Sequence, residues 1–323
     1  MALISVEFVL IASIARRAAW SVALLLALSP LTPSLQAAPV RNLWIAGAED
    51  GSLTFAEDLA ALWASRNGPT PERLALTVQP KVRERLRAVN RGRADLAIVP
   101  ADEAARLLPE YPRVKVIAVL WPLYLHAVTR NESVQALRLP LSVPVWTLES
   151  AAFAHDSLWE WGGDSATSRN LLELFPADWL PDALGQLRGE VLLFAAPAPL
   201  REVTEELQRD AALHLVLFDA KMLEEFRVRY PWLRTAALAP GVYPRMRSPA
   251  EVPVRYEVLA GRQELPEATV RKALDTVYGA RESAAPIDPL FAQMRPENNA
   301  SFSPLLPFHP SAALVLNLKP PAH

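Results

Sequence analysis

Short apolar runs and amphipathic stretches alternate along the chain beyond residue 40, which is the pattern of alternating strands and helices. For the first part of the chain, the pattern predicts in order a strand at 43–46, a helix at 54–66, a strand at 74–78, a helix at 81–91 and a strand at 95–99. Thr54 and Glu57 have the spacing of a capping box at the start of the first helix. Gly92 follows the second helix as its expected C-cap. Two strand–helix units within about 60 residues favour a parallel, doubly wound α/β sheet.

A second series of elements follows. Two apolar runs, 114–120 and 124–129, are predicted to be strands that cross between two lobes. The further predicted elements are strands at 141–148, 191–196, 213–218 and 252–259 and helices at 200–209 and 266–278. The segment 156–182 combines Trp residues with Gly, Asp and Pro, and we expect it to form an irregular or helical cap instead of sheet.

The N-terminus has the three parts of an export signal. Arg16 and Arg17 precede an apolar run at 18–28, and small residues follow at Ala37 and Ala38. Each apolar stretch is shorter than the ~20 residues that a membrane span needs, so we expect residues 1–38 to be a cleaved signal peptide. The alternative is an uncleaved membrane anchor. Cleavage would release the protein into the periplasm.

Composition and motifs argue against an enzyme. The 323 residues carry a net charge of −2 and include no cysteine, which excludes disulfides and thiolate chemistry and gives no sign of a nucleic-acid surface. The chain lacks a Gly-x-Ser-x-Gly elbow, a phosphate-binding P-loop and a Gly-x-Gly-x-x-Gly fingerprint. Its five His residues are scattered without helical metal-ligand spacing. We therefore expect no catalysis, cofactor, metal or nucleic-acid partner, although carboxylate pairs brought together by folding stay open.

Several short motifs occur in a shared order along the chain. The clearest are Ala-Pro-Gly-Val-Tyr-Pro at 239–244, the strand at 252–259 and Pro-Phe-His-Pro-Ser-Ala-Ala at 307–313. Gly-Arg-Ala-Asp-Leu-Ala-Ile-Val at 92–99, Glu-Tyr-Pro at 110–112 and Tyr-Pro at 230–231 precede them. In this order they resemble the TAXI family, the extracytoplasmic solute receptors of one class of TRAP transporter.

The resemblance, together with the interrupted order of the strand–helix units, implies a two-lobed α/β fold of the type II periplasmic binding-protein kind, with the ligand cleft between the lobes. Lobe 1 would comprise 41–121 plus 233–318, and lobe 2 would comprise 122–232. The implied function is capture of a small organic solute for a TRAP-type membrane permease. The alternative is a ligand-less interaction or sensory protein that keeps the fold and has lost the pocket.

The loops that would bind ligand differ from the family pattern. Gly47 and Gly51 hold the glycine positions of the first loop, but Leu53 and Thr54 stand where the family has two Tyr residues. The second loop, 79–85, lacks the family's Gly and Ser residues, and the third, a Gly-Ser-Gly-Thr turn in the family, has no counterpart, the nearest run being 148–151. Such loops offer backbone N–H groups and hydroxyls to a carboxylate at helix N-termini. We therefore expect dicarboxylates to bind weakly and a less anionic solute to be preferred.

The resemblance and the loop residues together give eight candidates for ligand binding: Glu49, Asp50, Gly51, Ser52, Lys81, Asp102, Trp121 and Tyr243. Each has a structural alternative. The two acids of the first loop would stabilise the next helix at its N-terminus, and Lys81 would lie on a solvated helix face. Trp121 and Tyr243 would pack in the core and in a turn, respectively. Asp102 falls where the family also carries Asp. His309 is interpreted as structural, packing the C-terminal tail.

Overall fold

The computed structural model describes residues 41–47, 52–67, 72–79, 81–161, 171–279 and 290–319. The predicted signal peptide and the loop residues Glu49, Asp50 and Gly51 lie outside these ranges. Ser52 is the first residue of a helix.

Strands and helices alternate through most of the described chain, as the hydrophobic pattern predicts. The strands are β1 (Arg41–Gly47), β2 (Glu72–Val78), β3 (Leu96–Pro100), β4 (Val114–Thr129), β5 (Ala136–Leu137), β6 (Val145–Leu148), β7 (Leu172–Phe175), β8 (Val191–Ala196), β9 (His214–Leu215), β10 (Leu217–Phe218), β11 (Arg234–Leu238) and β12 (Ala250–Arg262). The helices are α1 (Ser52–Asn67), α2 (Val82–Asn90), α3 (Ala101–Leu107), α4 (Ala152–Trp161), α5 (Leu180–Gln186), α6 (Arg201–Arg209), α7 (Ala220–Arg229), α8 (Glu267–Gly279), α9 (Leu290–Gln293), α10 (Asn298–Phe302) and α11 (Pro310–Val315).

Two local predictions are confirmed in detail. Gly92 follows α2 with a φ of 72°, a left-handed conformation that glycine adopts without steric cost, and its N–H donates to the carbonyl of Val89. His309 is 3 % exposed and caps α11, because its Nδ1 accepts from the N–H of Ser311. Its Nε2 therefore carries the proton and donates to the carbonyl of Gln263 at 3.1 Å.

Three predictions are wrong in part. The runs at 114–120 and 124–129 are one continuous strand, β4, which contains Pro122. Pro122 pairs with Tyr256 of β12, where the register between the strands shifts, so its missing N–H interrupts no regular ladder. The predicted cap includes a strand, β7, which pairs in parallel with β6. The single strand predicted at 213–218 is divided into β9 and β10, which belong to different sheets.

The main sheet has the order β2-β1-β3-β12-β4-β8-β6-β7, with β11 added beside β12 and β9 beside β4. Pairing is parallel among β1, β2 and β3 and again among β6, β7 and β8, but β4 and β12 run antiparallel to their neighbours. We call the part built on β1–β3 the first half and the part built on β6–β8 the second half. The long strands β4 and β12 pass through both halves, so the predicted α/β class with crossing strands is confirmed.

Each half has its own apolar interior. One cluster packs α1 and α8 against one face of the first half, and a second packs α2 and α3 against the other face. A third and larger cluster fills the second half. Leu238, Tyr243 and Val254 pack with this third cluster, although the predicted lobe boundaries place 233–318 in lobe 1. No helix within the described ranges is long and apolar enough to cross a membrane.

Candidate functional site

Lys81 and Trp121, two of the candidate residues, have positions that fit their structural alternatives. Lys81 is exposed and is the N-cap residue of α2, where its carbonyl accepts from the N–H groups of Glu84 and Arg85. Trp121 is 3 % exposed, and the centroid of its ring lies 4.5 Å from that of Phe55 on α1. The Trp121 ring is therefore part of the core of the first half.

Tyr243 is 1 % exposed and forms a buried hydrogen-bonded pair with His126 of β4. The Tyr243 hydroxyl lies 2.7 Å from His126 Nε2 and accepts from the N–H of Leu200 at 2.9 Å. His126 Nδ1 lies 2.8 Å from the carbonyl oxygen of Tyr124, so Nδ1 carries the proton and Nε2 accepts from Tyr243. Tyr243 therefore lies inside the second half, where its hydroxyl is occupied by contacts with His126 and Leu200.

Burial sets the charge state of this pair. It lowers the pKa of His126 to about 4, although the bond to the Tyr124 carbonyl acts in the opposite direction. It raises the pKa of Tyr243. The imidazole also stacks on Phe194, with 4.9 Å between ring centroids and 1° between planes. The pair is therefore neutral at pH 7 and serves as a polar connection inside an apolar cluster.

Asp102 belongs to a group of charged side chains in the interior. It lies in the first turn of α3, and its Oδ2 is 4.0 Å from Nη1 of Arg255 on β12. Arg255 Nη2 is 3.8 Å from Oε1 of Glu257, two residues further along the same face of the strand. The three side chains are 10, 11 and 9 % exposed, respectively. We call them the Asp102–Arg255–Glu257 cluster.

Arg255 also contacts the second half. Its Nη1 donates to the carbonyl oxygen of Ser150 at 3.2 Å, in the 3₁₀ turn after β6. Its guanidinium carbon lies 6.0 Å from the ring centroid of Phe153 on α4, within the range of a cation–π contact. Because Asp102 belongs to the first half and Ser150 and Phe153 to the second, one guanidinium joins the two halves.

The surroundings of the cluster carry charges of both signs. Burial and the neighbouring Asp102 raise the pKa of Glu103, while the positive charges of Arg255, Arg106 and Arg85 lower it in part. Arg85 is 2 % exposed and donates to the carbonyl of Ile98 at 2.6 Å. Asp102 Oδ1 is buried and accepts no hydrogen bond from a described residue. A buried acceptor of this kind is costly to leave without a donor, so it marks the place where a donor group from a solute would be favourable.

Arg255 and Glu257 were not among the sequence candidates. The signal that could have identified them is their spacing: they stand two residues apart in the otherwise apolar strand at 252–259. Two charges on one face of a strand predicted to be buried need partners from elsewhere in the fold. Their partner from another part of the chain is Asp102, which is one of the eight sequence candidates. No group of three His, Cys, Asp or Glu side chains suited to a metal ion occurs within the ranges that the structure covers.

Comparisons with known proteins concern the fold alone. No protein-family model matches the chain, and no curated protein matches it either. A Xanthomonas citri protein solved with ATP has a TM-score of 0.48 at 13 % identity, covering 85 % of this chain and 98 % of its own. PstS from Borrelia burgdorferi has a TM-score of 0.46 at 8 % identity, covering 77 and 97 %.

A histidine kinase sensor domain similar to periplasmic binding proteins has a TM-score of 0.44 at 13 % identity, covering 79 % of this chain and 96 % of its own. At these identities and TM-scores, none of the three structures indicates which solute, if any, this chain binds.

Proposed function

We propose that this protein is an extracytoplasmic solute receptor that captures a small organic molecule between two lobes and delivers it to a TRAP-type membrane permease. The observation that carries the proposal is the Asp102–Arg255–Glu257 cluster, a buried charged group at the junction of the two halves in which Asp102 Oδ1 has no donor among the described residues. The TAXI resemblance of the sequence motifs supports the transporter class. The lobes would be 41–121 plus 233–318 and 122–232, and export would follow cleavage after Ala37 or Ala38.

The charges around the cluster support a particular class of solute. Asp102, Glu103 and Glu257 bring three carboxyl groups to the region, and the guanidinium groups of Arg255, Arg106 and Arg85 balance them, so the region carries no excess positive charge for an anionic solute. A second carboxylate at about 4 Å from an existing one costs about 4 kcal/mol at an effective dielectric constant near 20. A solute that donates from a hydroxyl, amide or ammonium group to Asp102 avoids this repulsion. The proposed solute is therefore polar and carries at most a small negative charge.

A ligand-less sensory or interaction protein is the second candidate, and the position of Arg255 favours it specifically. The guanidinium already contacts Asp102, Glu257 and the Ser150 carbonyl, so it holds the two halves together without a solute. In a receptor, the solute would have to compete with these contacts. In the second candidate, the same contacts would be permanent.

A thermal-stability screen separates the two candidates. The wild-type protein is heated with a library of sugars, polyols, amino acids, amines and carboxylates. A true ligand at about 100 times its Kd stabilises the folded state by about 2.7 kcal/mol through mass action. The receptor predicts a rise in Tm with at least one polar, weakly charged compound. A flat response over the whole library would support the ligand-less protein instead.

Two variants make this screen specific to the site. Asp102→Asn keeps the shape of the side chain but replaces one acceptor oxygen with a donor, so the response to the compound should be lost. Glu224→Gln removes an exposed charge on α7 that is not part of the cluster and pairs with Arg227, and this variant should respond like the wild type. A response that is unchanged in Asp102→Asn would place the solute elsewhere.

Glutamate tests the proposed preference against dicarboxylates. We expect calorimetric titration with glutamate to show weak or undetectable binding, because a solute carboxylate close to Asp102 would be repelled by it and the nearby arginines already face the carboxyl groups of the protein. Micromolar affinity that disappears in Lys81→Ala and is unchanged in Glu49→Ala would contradict this expectation, since it would show that Lys81 faces the cleft and that the first-loop acid does not.

A further inference from the structure

A surface depression of about 240 Å³ lies between the strand β2 and the helix α2. Its lining is polar and mainly basic. The residues that form it are Thr77, Gln79, Glu84, Arg87, Ala88, Arg91 and Arg93. It is built from β2 and α2, whereas the Asp102–Arg255–Glu257 cluster is built from α3 and β12.

Three arginines of this depression carry charge that the described residues do not neutralise. Arg87, Arg91 and Arg93 are exposed, and none of them forms an ion pair with another residue in the ranges that the structure covers. Neighbouring arginines on the same part of the surface are different: Arg83 pairs with Glu110, and Arg262 pairs with Asp95. Glu84 is the one acid in the lining against three guanidinium groups.

The spacing of these arginines adds to the local positive potential. Arg87 and Arg91 are four residues apart at the end of α2, where side chains lie on one face and like charges repel. The C-terminus of a helix favours positive charge, which explains one arginine there without any ligand. It does not explain Arg93, which lies beyond the helix, or the position of Thr77 and Gln79 on the opposite wall.

We propose that this depression binds an oxyanion of the phosphate type. Guanidinium groups present a planar fork of donors that matches phosphate oxygens, and the hydroxyl of Thr77 and the amide of Gln79 add neutral donors. A volume of about 240 Å³ holds a phosphate group together with part of the molecule that bears it. The same chemistry fits free phosphate and the phosphate of an anionic lipid headgroup.

The experiment measures phosphate binding to the full-length protein by calorimetry, and Tm in phosphate against chloride at matched ionic strength. The wild type should bind phosphate and should be more stable in phosphate than in chloride. The double variant Arg87→Gln/Arg91→Gln should raise the Kd for phosphate about tenfold or more, because hydrogen bonds to charged groups contribute at least that factor. Arg201→Gln, an exposed arginine on α6 that pairs with Glu205, is the matched control and should leave the Kd unchanged.

The outcomes separate an anion site from its alternatives. Equal stability in phosphate and chloride, with no calorimetric binding, would overturn the proposal. A double variant that loses stability but binds phosphate as tightly as the wild type would also overturn it, because the arginines would then act on the helix terminus alone. Sedimentation with phosphatidylglycerol vesicles, compared with phosphatidylcholine vesicles, distinguishes the source. Binding to the former that is lost in the double variant assigns a lipid headgroup, and phosphate binding without vesicle binding assigns a free oxyanion.

Discussion

The buried pair of His126 and Tyr243 depends on one tautomer of the imidazole. Nδ1 must donate to the Tyr124 carbonyl for Nε2 to accept from Tyr243, and the Tyr243 hydroxyl can then accept from Leu200. A second proton on the ring would remove the acceptor that Tyr243 needs and would place a charge in an apolar cluster. The pair therefore connects β4, the turn at 239–246 and the start of α6 only while His126 is neutral.

This requirement predicts a loss of stability in mild acid. The unfolded chain takes up a proton near the ordinary His pKa of 6.5, but the folded chain does so only near the His126 pKa of about 4. The contribution of His126 to the free energy of unfolding is therefore at its maximum above about pH 6.5. It decreases by about 3 kcal/mol in total as the pH falls towards 4. Burial lowers the pKa of His309 as well, so His309 contributes in the same direction.

Urea denaturation between pH 7.5 and 4.5 checks this prediction. His126→Gln should be less stable than the wild type at pH 7.5 but should lose less stability on acidification. Tyr243→Phe keeps the imidazole and should retain the slope of the wild type while losing about 1–3 kcal/mol at neutral pH, because two buried groups lose their partner. An identical slope in wild type and His126→Gln would be inconsistent with a buried neutral His126.

At the scale of single elements, β12 packs closely against its neighbours at one glycine. It pairs with β3, β4 and β11 and includes Gly261. A Cβ atom on Gly261 would lie 2.6 Å from Ile117 Cδ1 and 2.9 Å from Leu265 Cδ1. Both distances are too short for carbon atoms, so a Cβ atom here would force the buried ends of the Ile117 and Leu265 side chains to move, and packing, not an unusual φ, favours glycine at this position.

Two glycine substitutions test this point as a matched pair. Gly261→Ala should lower the free energy of unfolding by about 1–3 kcal/mol, because side chains of the core must move to admit the methyl group. Gly185→Ala in α5 meets no atom within 4 Å and should raise it by about 0.5–1 kcal/mol, since alanine is the better helix former. Chemical denaturation measures both. Equal effects of the two substitutions would contradict the packing argument.

Secondary-structure elements could be predicted from the sequence where residues close together in the chain determine them. Gly92 and His309 act through neighbours within a few residues, and α8 has a regular apolar face, so all three were predictable. Pro122 was misleading, because its compatibility with a long strand depends on a register shift in a partner strand. Arg255 was missed for the same kind of reason: its contacts with Asp102 and Ser150 come from distant parts of the chain.

At the scale of the whole molecule, Arg255 is the side chain that links the two halves. It balances the buried carboxylates of Asp102 and Glu257 from one side and contacts Ser150 and Phe153 from the other. A buried ion pair contributes little compared with an apolar replacement of both partners, but removing one partner leaves an uncompensated charge. The cluster should therefore behave as a unit.

A variant series tests this coupling. Arg255→Met should lower the free energy of unfolding by about 3–5 kcal/mol, because Asp102 and Glu257 lose their common counter-charge. The double variant Arg255→Met/Glu257→Met should lose less than Arg255→Met alone, since it also removes one of the buried acids. Urea denaturation at pH 7 gives the coupling as the departure from additivity. Purely additive losses of the free energy of unfolding would show that Arg255 and Glu257 are not energetically coupled.

The position of β12 in the sheet has a consequence for the order in which the molecule is made. β12 lies between β3 and β4, yet it is the last strand of the described chain to leave the ribosome. At a synthesis rate of roughly 5–20 residues per second, roughly 7–27 seconds pass between the completion of β4 and the completion of the strand that joins it to β3. During that interval each has an unpaired edge where β12 will later lie, and an unpaired edge is a site where strands from other chains can add. The nascent chain therefore depends on rapid synthesis of residues 130–262, or on a chaperone that covers these two edges, to avoid aggregation before its centre is complete.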